Sequence, residues 1–423
     1  MSPAGPPQAA PHRSVARAGT PVRRAALAAL LRALRPSLEA ALILAVGMGV
    51  SRFAFTAVYP QMVREGLLSL PHAGLAASAN YGGYLLGALV AMRARPQHAL
   101  RVCLASAAGS IACLAALGLL ENAAGIIAVR ALAGAFSALA MVAAALWLFE
   151  HRQHLHGAPV LFGGVGLGIA LSAELLVLAQ AMQLHSHGQW LVLALACTLL
   201  SLAAVPGMAR GGAAAPTSPT SPTSPTSPTS PTKDAGPAQA PAAGQTGAVQ
   251  ATPLLAVYGM AGFGYIITAT YLPLLVQQAL PELAPAHVWA LFGLGAIPSC
   301  FLWHRLHARL GTRGALAANL AVQALGVAMP LLSASPPGYL LSAVLVGATF
   351  MGTVTIALPA ARAAGAATGR PLVARMTVVY SLGQIAGPLA ASALYAQSHS
   401  FSGALAAATA VLLAAAALSR TLL

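Results

Sequence analysis

The chain has 423 residues, of which 58% are hydrophobic and only 7% charged, with 22 Lys and Arg against 7 Asp and Glu. Soluble globular domains carry roughly 25% charged residues, so this composition excludes water as the main solvent. The net charge of +15 does not describe a nucleic-acid-binding face either, because the cations sit in short clusters between apolar runs.

In chain order, residues 1–37 are Pro/Ala-rich, contain six arginines and hold no acid before Glu39. No apolar core with a cleavage site precedes Leu38, so the stretch reads as a disordered cytoplasmic tail rather than a signal peptide. A bilayer core about 30 Å thick needs roughly 20 apolar residues. That window marks segments at 38–62, 72–92, 99–120, 123–149, 158–183 and 188–208, and then at 252–279, 285–304, 314–334, 337–361, 371–396 and 401–420. The expected fold is an all-α membrane protein with twelve transmembrane helices in two six-helix bundles, at 38–208 and 252–423. The four cysteines, Cys103, Cys113, Cys197 and Cys300, lie inside these runs without metal or disulfide spacing and read as small buried residues.

Charge gives an independent test. With the N-terminus inside, the cytoplasmic segments carry Arg13, Arg17, Arg23, Arg24, Arg32 and Arg35, then Arg93, Arg95, Arg101 and Arg152, then Arg210 and Lys233. The later loops add Arg305, Arg309, Arg313, Arg362, Arg370, Arg375 and Arg420. External loops hold only Arg64, and Arg52 and Arg130 fall within segments. Such asymmetry fits the positive-inside rule with both termini cytoplasmic.

Residues 209–251 are rich in Pro, Gly, Ala, Ser and Thr, and from Pro216 to Pro231 they repeat P-T-S five times. This is a solvated, semi-extended linker with polyproline character. The two halves it separates echo each other. The first segment reads G-V-S-R-F-A-F-T-A-V-Y-P from Gly49 to Pro60, and the seventh reads G-F-G-Y-I-I-T-A-T-Y-L-P from Gly262 to Pro273. Duplicated six-helix units with Gly/Pro-interrupted helices at matching positions are a transporter signature, the site lying between the halves near mid-membrane.

Arg52 and Arg130 are the sharpest features, because an arginine in hydrocarbon costs several kcal/mol and so faces the protein interior or a wet cavity. Glu174 is the one acid well inside a segment. The helix rise puts all three near one depth, about 21 Å from the inner face. On one reading an arginine binds an anionic substrate and Glu174 takes part in proton coupling. On the other, Glu174 and one arginine form a buried ion pair that holds helices together. One acid cannot neutralise two arginines, and the spare cation points to an anionic substrate. Asn80, Tyr84 and Gly87 share one helical face, with Gly83 and Gly87 read as packing residues. Asn80 and Tyr84 are candidates to line the cavity, and Tyr265, Thr268, Tyr271, Thr353, Tyr380 and Gln384 are the polar candidates of the second half. His151, His154 and His156 read as a solvated cationic loop rather than a metal site. No nucleophile–base arrangement, phosphate-binding loop or H-E-x-x-H occurs, so an ATP-driven pump or membrane protease is poorly supported and no cofactor is expected.

Six plus six helices, a long central loop and inward termini resemble the major facilitator superfamily. Within it the chain is similar to the YbfB/YjiJ family, through G-M-G-V-S-R-F-A-F-T at 47–56, A-N-Y-G-G-Y-L-L-G-A at 79–88, G-V-G-L-G-I-A at 164–170, G-F-G-Y-I-I-T-A-T-Y-L-P at 262–273 and G-Q-I-A-G-P at 383–388. The resemblance covers residues from about 38 to 420 apart from the linker. It links the R-x-x-x-G of Arg130 and Gly134 to proton coupling, and Arg309, Gly311 and Arg313 to a gating loop, whose usual acid is here Ala308. Gly383, Gly387 and Pro388 match a G-x-x-x-G-P motif, displaced into the eleventh segment.

The expected protein is thus no enzyme. It is a secondary transporter of the cytoplasmic (inner) membrane, moving a small molecule, by preference an organic anion, as two bundles rock around a central site. That site is expected to be lined by Arg52, Asn80, Tyr84, Tyr265 and Gln384, with Arg130 and Glu174 serving coupling or bundle integrity. The expected partners are the small-molecule substrate, the lipid bilayer and protons as the candidate coupling ion, with no nucleic acid and a monomeric state. The alternatives are efflux of apolar or cationic compounds, a membrane sensor that has lost transport, and a scramblase.

Overall fold

The computed structural model describes residues 33–154, 157–211, 250–280, 282, 284–368 and 372–421. The N-terminal tail before Ala33, most of the P-T-S linker, His156 and Arg370 lie outside the described residues. Among the described residues there is no strand. The helices are α1 (Ala33–Arg64), α2 (Leu70–Ala91), α3 (Ala99–Leu117), α4 (Ala123–His151), α5 (Ala158–Ala181) and α6 (Ser186–Gly211), followed by α7 (Ala251–Ala279), α8 (Pro285–Leu332), α9 (Pro336–Thr368), α10 (Leu372–Ser398) and α11 (Ser402–Thr421).

Local chemistry sets several ends. The Ser69 hydroxyl accepts the His72 backbone N–H at 3.3 Å to start α2, and Asn122 Oδ1 accepts the Gly125 N–H at 2.7 Å to start α4. Gly66, at φ 77°, takes the left-handed turn after α1 that a side chain would resist. Ten of the helices are long and apolar enough to cross a membrane, and α2 is not one of them. Its His72, Ser78, Asn80, Tyr81 and Tyr84 dilute an otherwise apolar helix.

The eighth and ninth apolar segments are the two helical limbs of α8, which meet at a kink where the backbone leaves helical geometry at Gly311 (φ 66°, ψ 178°). The His307 ring and the Thr312 hydroxyl, 3.0 Å apart, bridge that break. Arg309 and Arg313 flank it with exposed side chains.

Pro36–Leu423 pack as one compact unit. Without water there is little hydrophobic drive between apolar helices, so close backbone approach and hydrogen bonds do most of the joining. The glycines supply that approach. A Cβ on Gly83 would lie 1.8 Å from the Ala131 carbonyl oxygen, and one on Gly134 would lie 1.9 Å from that of Asn80, so α2 and α4 touch backbone to backbone. The same holds between the two halves of the sequence, where a Cβ on Gly166 in α5 would lie 2.6 Å from the Gly293 carbonyl of α8. The four cysteines are buried free thiols.

Candidate functional site

The centre of the site is set by an irregularity in α1. Ala45–Val50 forms a π-turn, the α-helix restarts over Ser51–Phe53, and after Ala54 it continues as Phe55–Arg64. Single π-turns inside α-helices are frequent at functional sites. The matching stretch of α7 is one continuous helix despite Pro273, so only the first of the two echoing segments is interrupted.

A physical reason for that difference lies in α4. Arg130, 2% exposed, donates Nη1 to the Ser51 carbonyl and Nη2 to the Arg52 carbonyl, each at 2.9 Å. These carbonyls sit at the restart of α1, and the guanidinium serves them as an internal cap. Its position is fixed in turn by Asn80 of α2, whose Nδ2 donates to the Arg130 carbonyl at 2.8 Å, and by the Phe55 ring 4.5 Å below its Cζ.

Arg52 projects from the restarted turn and is also 2% exposed. Its Cζ lies 4.0 Å from the centre of the Tyr84 ring, 5.0 Å from Tyr81 and 5.4 Å from Phe53, so the cation rests on aromatic faces. Its Nη2 donates to Gln384 Oε1 of α10 at 2.8 Å, and Gln384 Nε2 donates to the Tyr265 hydroxyl of α7. Arg52, Gln384 and Tyr265 therefore form one hydrogen-bonded chain across the two halves of the sequence. No carboxylate is among the described partners of Arg52 or Arg130.

Aromatic rings continue the site. Tyr265 stacks on Phe350 of α9 and on Tyr380 of α10, with centroids 5.6 and 6.0 Å apart, and Tyr380 stacks on Tyr258 at 4.5 Å. Phe53 contacts Phe350 edge-on at 5.9 Å and Trp289 at 6.5 Å. Farther along α1 lies a cavity of about 360 Å³, lined by Pro60, Gln61, Arg64, Gln180, Gln277 and Pro285. Turned with its carbonyl toward Arg64, Gln277 accepts from that guanidinium at 2.9 and 3.2 Å. Along α1, the buried Phe55 lies between Arg52 and Ala57, the first residue of the helix to line this cavity.

Several sequence expectations need correction. Arg130 and Glu174 do not form a buried ion pair. The Glu174 side chain is 54% exposed and its Oε1 lies 3.2 Å from His287 Nδ1 of α8. Equal depth does not fix which way a side chain faces: Arg130 looks toward α1, and Glu174 looks across to α8. Asn80 does not point at the Arg52 guanidinium but secures α4 through the Arg130 carbonyl. Thr353 donates to Asn319 Oδ1 at 2.7 Å within the second half, and Tyr271 donates to the Pro388 carbonyl at 3.1 Å, away from Arg52. Thr268 is buried without a side-chain partner. His287 was not singled out from the sequence; its place beside the first proline of a segment gave no signal. The structure does bring Arg52, Tyr84, Tyr265 and Gln384 together.

Beyond the hydrocarbon, Glu65 follows the end of α1. Burial alone would raise its pKa, but hydrogen bonds from Ser186 and Gln61, with His185 nearby, outweigh that and hold it below the ordinary glutamate value.

No curated protein matches the chain. The family described as uncharacterised MFS-type transporter YbfB matches residues 44–420, which takes in every helix of the site. An apolar helical body, glycine-packed helix pairs and buried guanidinium groups in its middle agree with that match, and the chain belongs to this family of MFS-type transporters.

Proposed function

We propose that the protein is a secondary transporter carrying a small organic anion across the cytoplasmic membrane by alternating access. The observation that carries this reading is Arg52. It is a permanently charged group, buried between the halves, whose only side-chain hydrogen-bond partner among the described residues is the neutral amide of Gln384. A buried cation left unneutralised is costly, and an anionic substrate supplies what the resting site lacks.

On this reading residues 38–208 and 252–423 are two bundles that rock about α1, α2, α7 and α10. The two limbs of α8 on either side of Gly311 each reach about 30 Å or more at the helix rise. They would count as two crossings and, with α2, give twelve, with both termini cytoplasmic in line with the charge pattern. The cavity by Arg64 is then the external approach, closed from Arg52 by Phe55. Arg309, Gly311 and Arg313 would form a turn on the cytoplasmic side, where a left-handed glycine lets the limbs change angle.

Proton coupling, on the same reading, belongs at Glu174 and His287 rather than at Arg130. A half-exposed carboxylate and imidazole bridging α5 and α8 can exchange a proton, whereas the Arg130 guanidinium is pinned by two carbonyls. Export of cationic compounds would be favoured by a lone carboxylate in the centre, and Glu174 is neither central nor alone.

The test is Arg52→Lys in proteoliposomes loaded with acetate, benzoate or citrate. The variant keeps the charge but loses the planar fork, so anion exchange should fall at least about tenfold. Full retention of transport overturns the role of the guanidinium.

A further inference from the structure

The cavity at the end of α1 shares no residue with the Arg52 chain, and its lining has a chemistry of its own. Two helices from each half of the sequence enclose it. Pro60, Gln61 and Arg64 come from α1, Gln180 from α5, Gln277 from α7 and Pro285 from α8. No carboxylate is in the lining. Its volume of about 360 Å³ falls at the small end of the range for ligand pockets, about 300–1,000 Å³.

The hydrogen-bonding capacity of these groups is unevenly used. Gln61 is spent: its Nε2 donates to Glu65 Oε1 at 2.8 Å and its Oε1 accepts from Gln189 Nε2 at 2.9 Å. Glu65, the acid next to Arg64 in the chain, is turned to α6, where the Ser186 backbone N–H donates to it at 3.0 Å. The Arg64 guanidinium meets only the Gln277 carbonyl, one oxygen shared by Nε at 3.2 Å and Nη1 at 2.9 Å. It is in no ion pair, and its Nη2 and the Gln180 amide have no partner among the described residues. A carboxylate grips the same guanidinium edge with two oxygens and a full charge, which is the stronger contact.

We infer that this cavity is a second carboxylate-binding site, separate from Arg52. It takes a small monocarboxylate on the Arg64 guanidinium in place of Gln277, with the Gln180 amide donating to the same ligand and the Pro60 and Pro285 rings meeting its apolar body. Because the walls come from α1 and α5 on one side and from α7 and α8 on the other, an occupant ties the two halves of the sequence together at this end. The site stands or falls independently of the anion reading of Arg52.

The experiment follows modification of arginines by phenylglyoxal in the full-length protein in lipid nanodiscs, read peptide by peptide by mass spectrometry. Arg64 is exposed and should react, whereas Arg52, 2% exposed, should not. Propionate should slow the reaction of Arg64 along a saturating curve, roughly tenfold at about ten times its dissociation constant, since only the empty site reacts. Propionamide, the neutral isostere, and chloride at the same ionic strength should leave the rate at Arg64 unchanged. Propionate should likewise leave the exposed Arg309 and Arg313 unprotected. No slowing by propionate, or equal slowing by chloride or at Arg309, overturns the inference. Gln180→Leu should weaken the protection several-fold, and full protection in that variant overturns the part given to Gln180. In Arg52→Lys the protection should persist. Its loss would place the carboxylate at Arg52 alone, which overturns the second site and leaves the anion reading standing. Persistent protection together with full transport by Arg52→Lys does the reverse.

Discussion

Arg52 and Tyr265 stand three residues beyond the leading glycines of the two echoing segments, and in the folded protein both bond to the same side chain, Gln384. Matching positions of the two echoing segments thus meet on one side chain, one of them a cation and the other a phenol. Gln384 satisfies both at once, accepting from the first and donating to the second.

Gln384→Glu turns that bridge into a resident counter-ion. A carboxylate fixed beside Arg52 should raise the melting temperature of the protein by several degrees and weaken benzoate binding at least about tenfold, by holding the site in a self-occupied form. Thermal denaturation and calorimetry on the same preparation check both. A variant with unchanged affinity would show that Gln384 does not occupy the ligand position.

Arg130 acts through Arg52. Its guanidinium caps the two carbonyls at the restart of α1, and a lysine ammonium cannot hold both in the same geometry. Arg130→Lys should therefore speed amide hydrogen exchange over residues 45–56 and weaken anion binding several-fold. Unchanged exchange over that stretch would mean that the guanidinium does not hold the restart of the helix.

Gly134 offers a packing test. A methyl group there would sit 1.9 Å from the Asn80 carbonyl oxygen and 2.9 Å from the Tyr84 nitrogen, so α2 must move to admit it. Gly134→Ala should cost about 1–3 kcal/mol of stability in detergent denaturation. It should also weaken anion binding, because Tyr84 moves with its helix.

Glu65 predicts a pH dependence with a defined sign. Its pKa is lower in the folded protein than the ordinary value of 4.5, so its contribution to stability is fully present above that ordinary value. It is lost as pH falls through the lowered, folded one. Melting curves of the protein and of Glu65→Gln should differ by a constant amount at neutral pH and converge in acid. A gap that widened on acidification would contradict the assignment.

Much of the architecture was legible because hydrocarbon leaves few choices: apolar segments at 99–120, 158–183 and 252–279 became Ala99–Leu117, Ala158–Ala181 and Ala251–Ala279. The convergence of Arg52, Tyr84, Tyr265 and Gln384 was legible too, since intramembrane charge is too expensive to leave without a purpose. What sequence could not convey was rotation about each helix axis. Counting residues gives the height of Arg130 and Glu174 but not their facing, so the ion pair drawn from equal depth was misplaced, and His287 stayed hidden. That the first limb of α8 stays helical past residue 304 to the kink at Gly311 was hidden for another reason, because charged and histidine residues near 304–313 look like a loop either way.

The π-turn at Ala45–Val50 has a consequence for how this arginine is aimed. A π-turn holds one more residue than an α-turn, so α1 carries one residue beyond ordinary helical spacing just before Arg52. Deleting one residue there would restore ordinary spacing and swing Arg52 by about 100° around the axis, the step between successive residues of an α-helix. The same guanidinium would then point away from Gln384 without any change in its identity. The aim of the charge is encoded in the length of the chain before it.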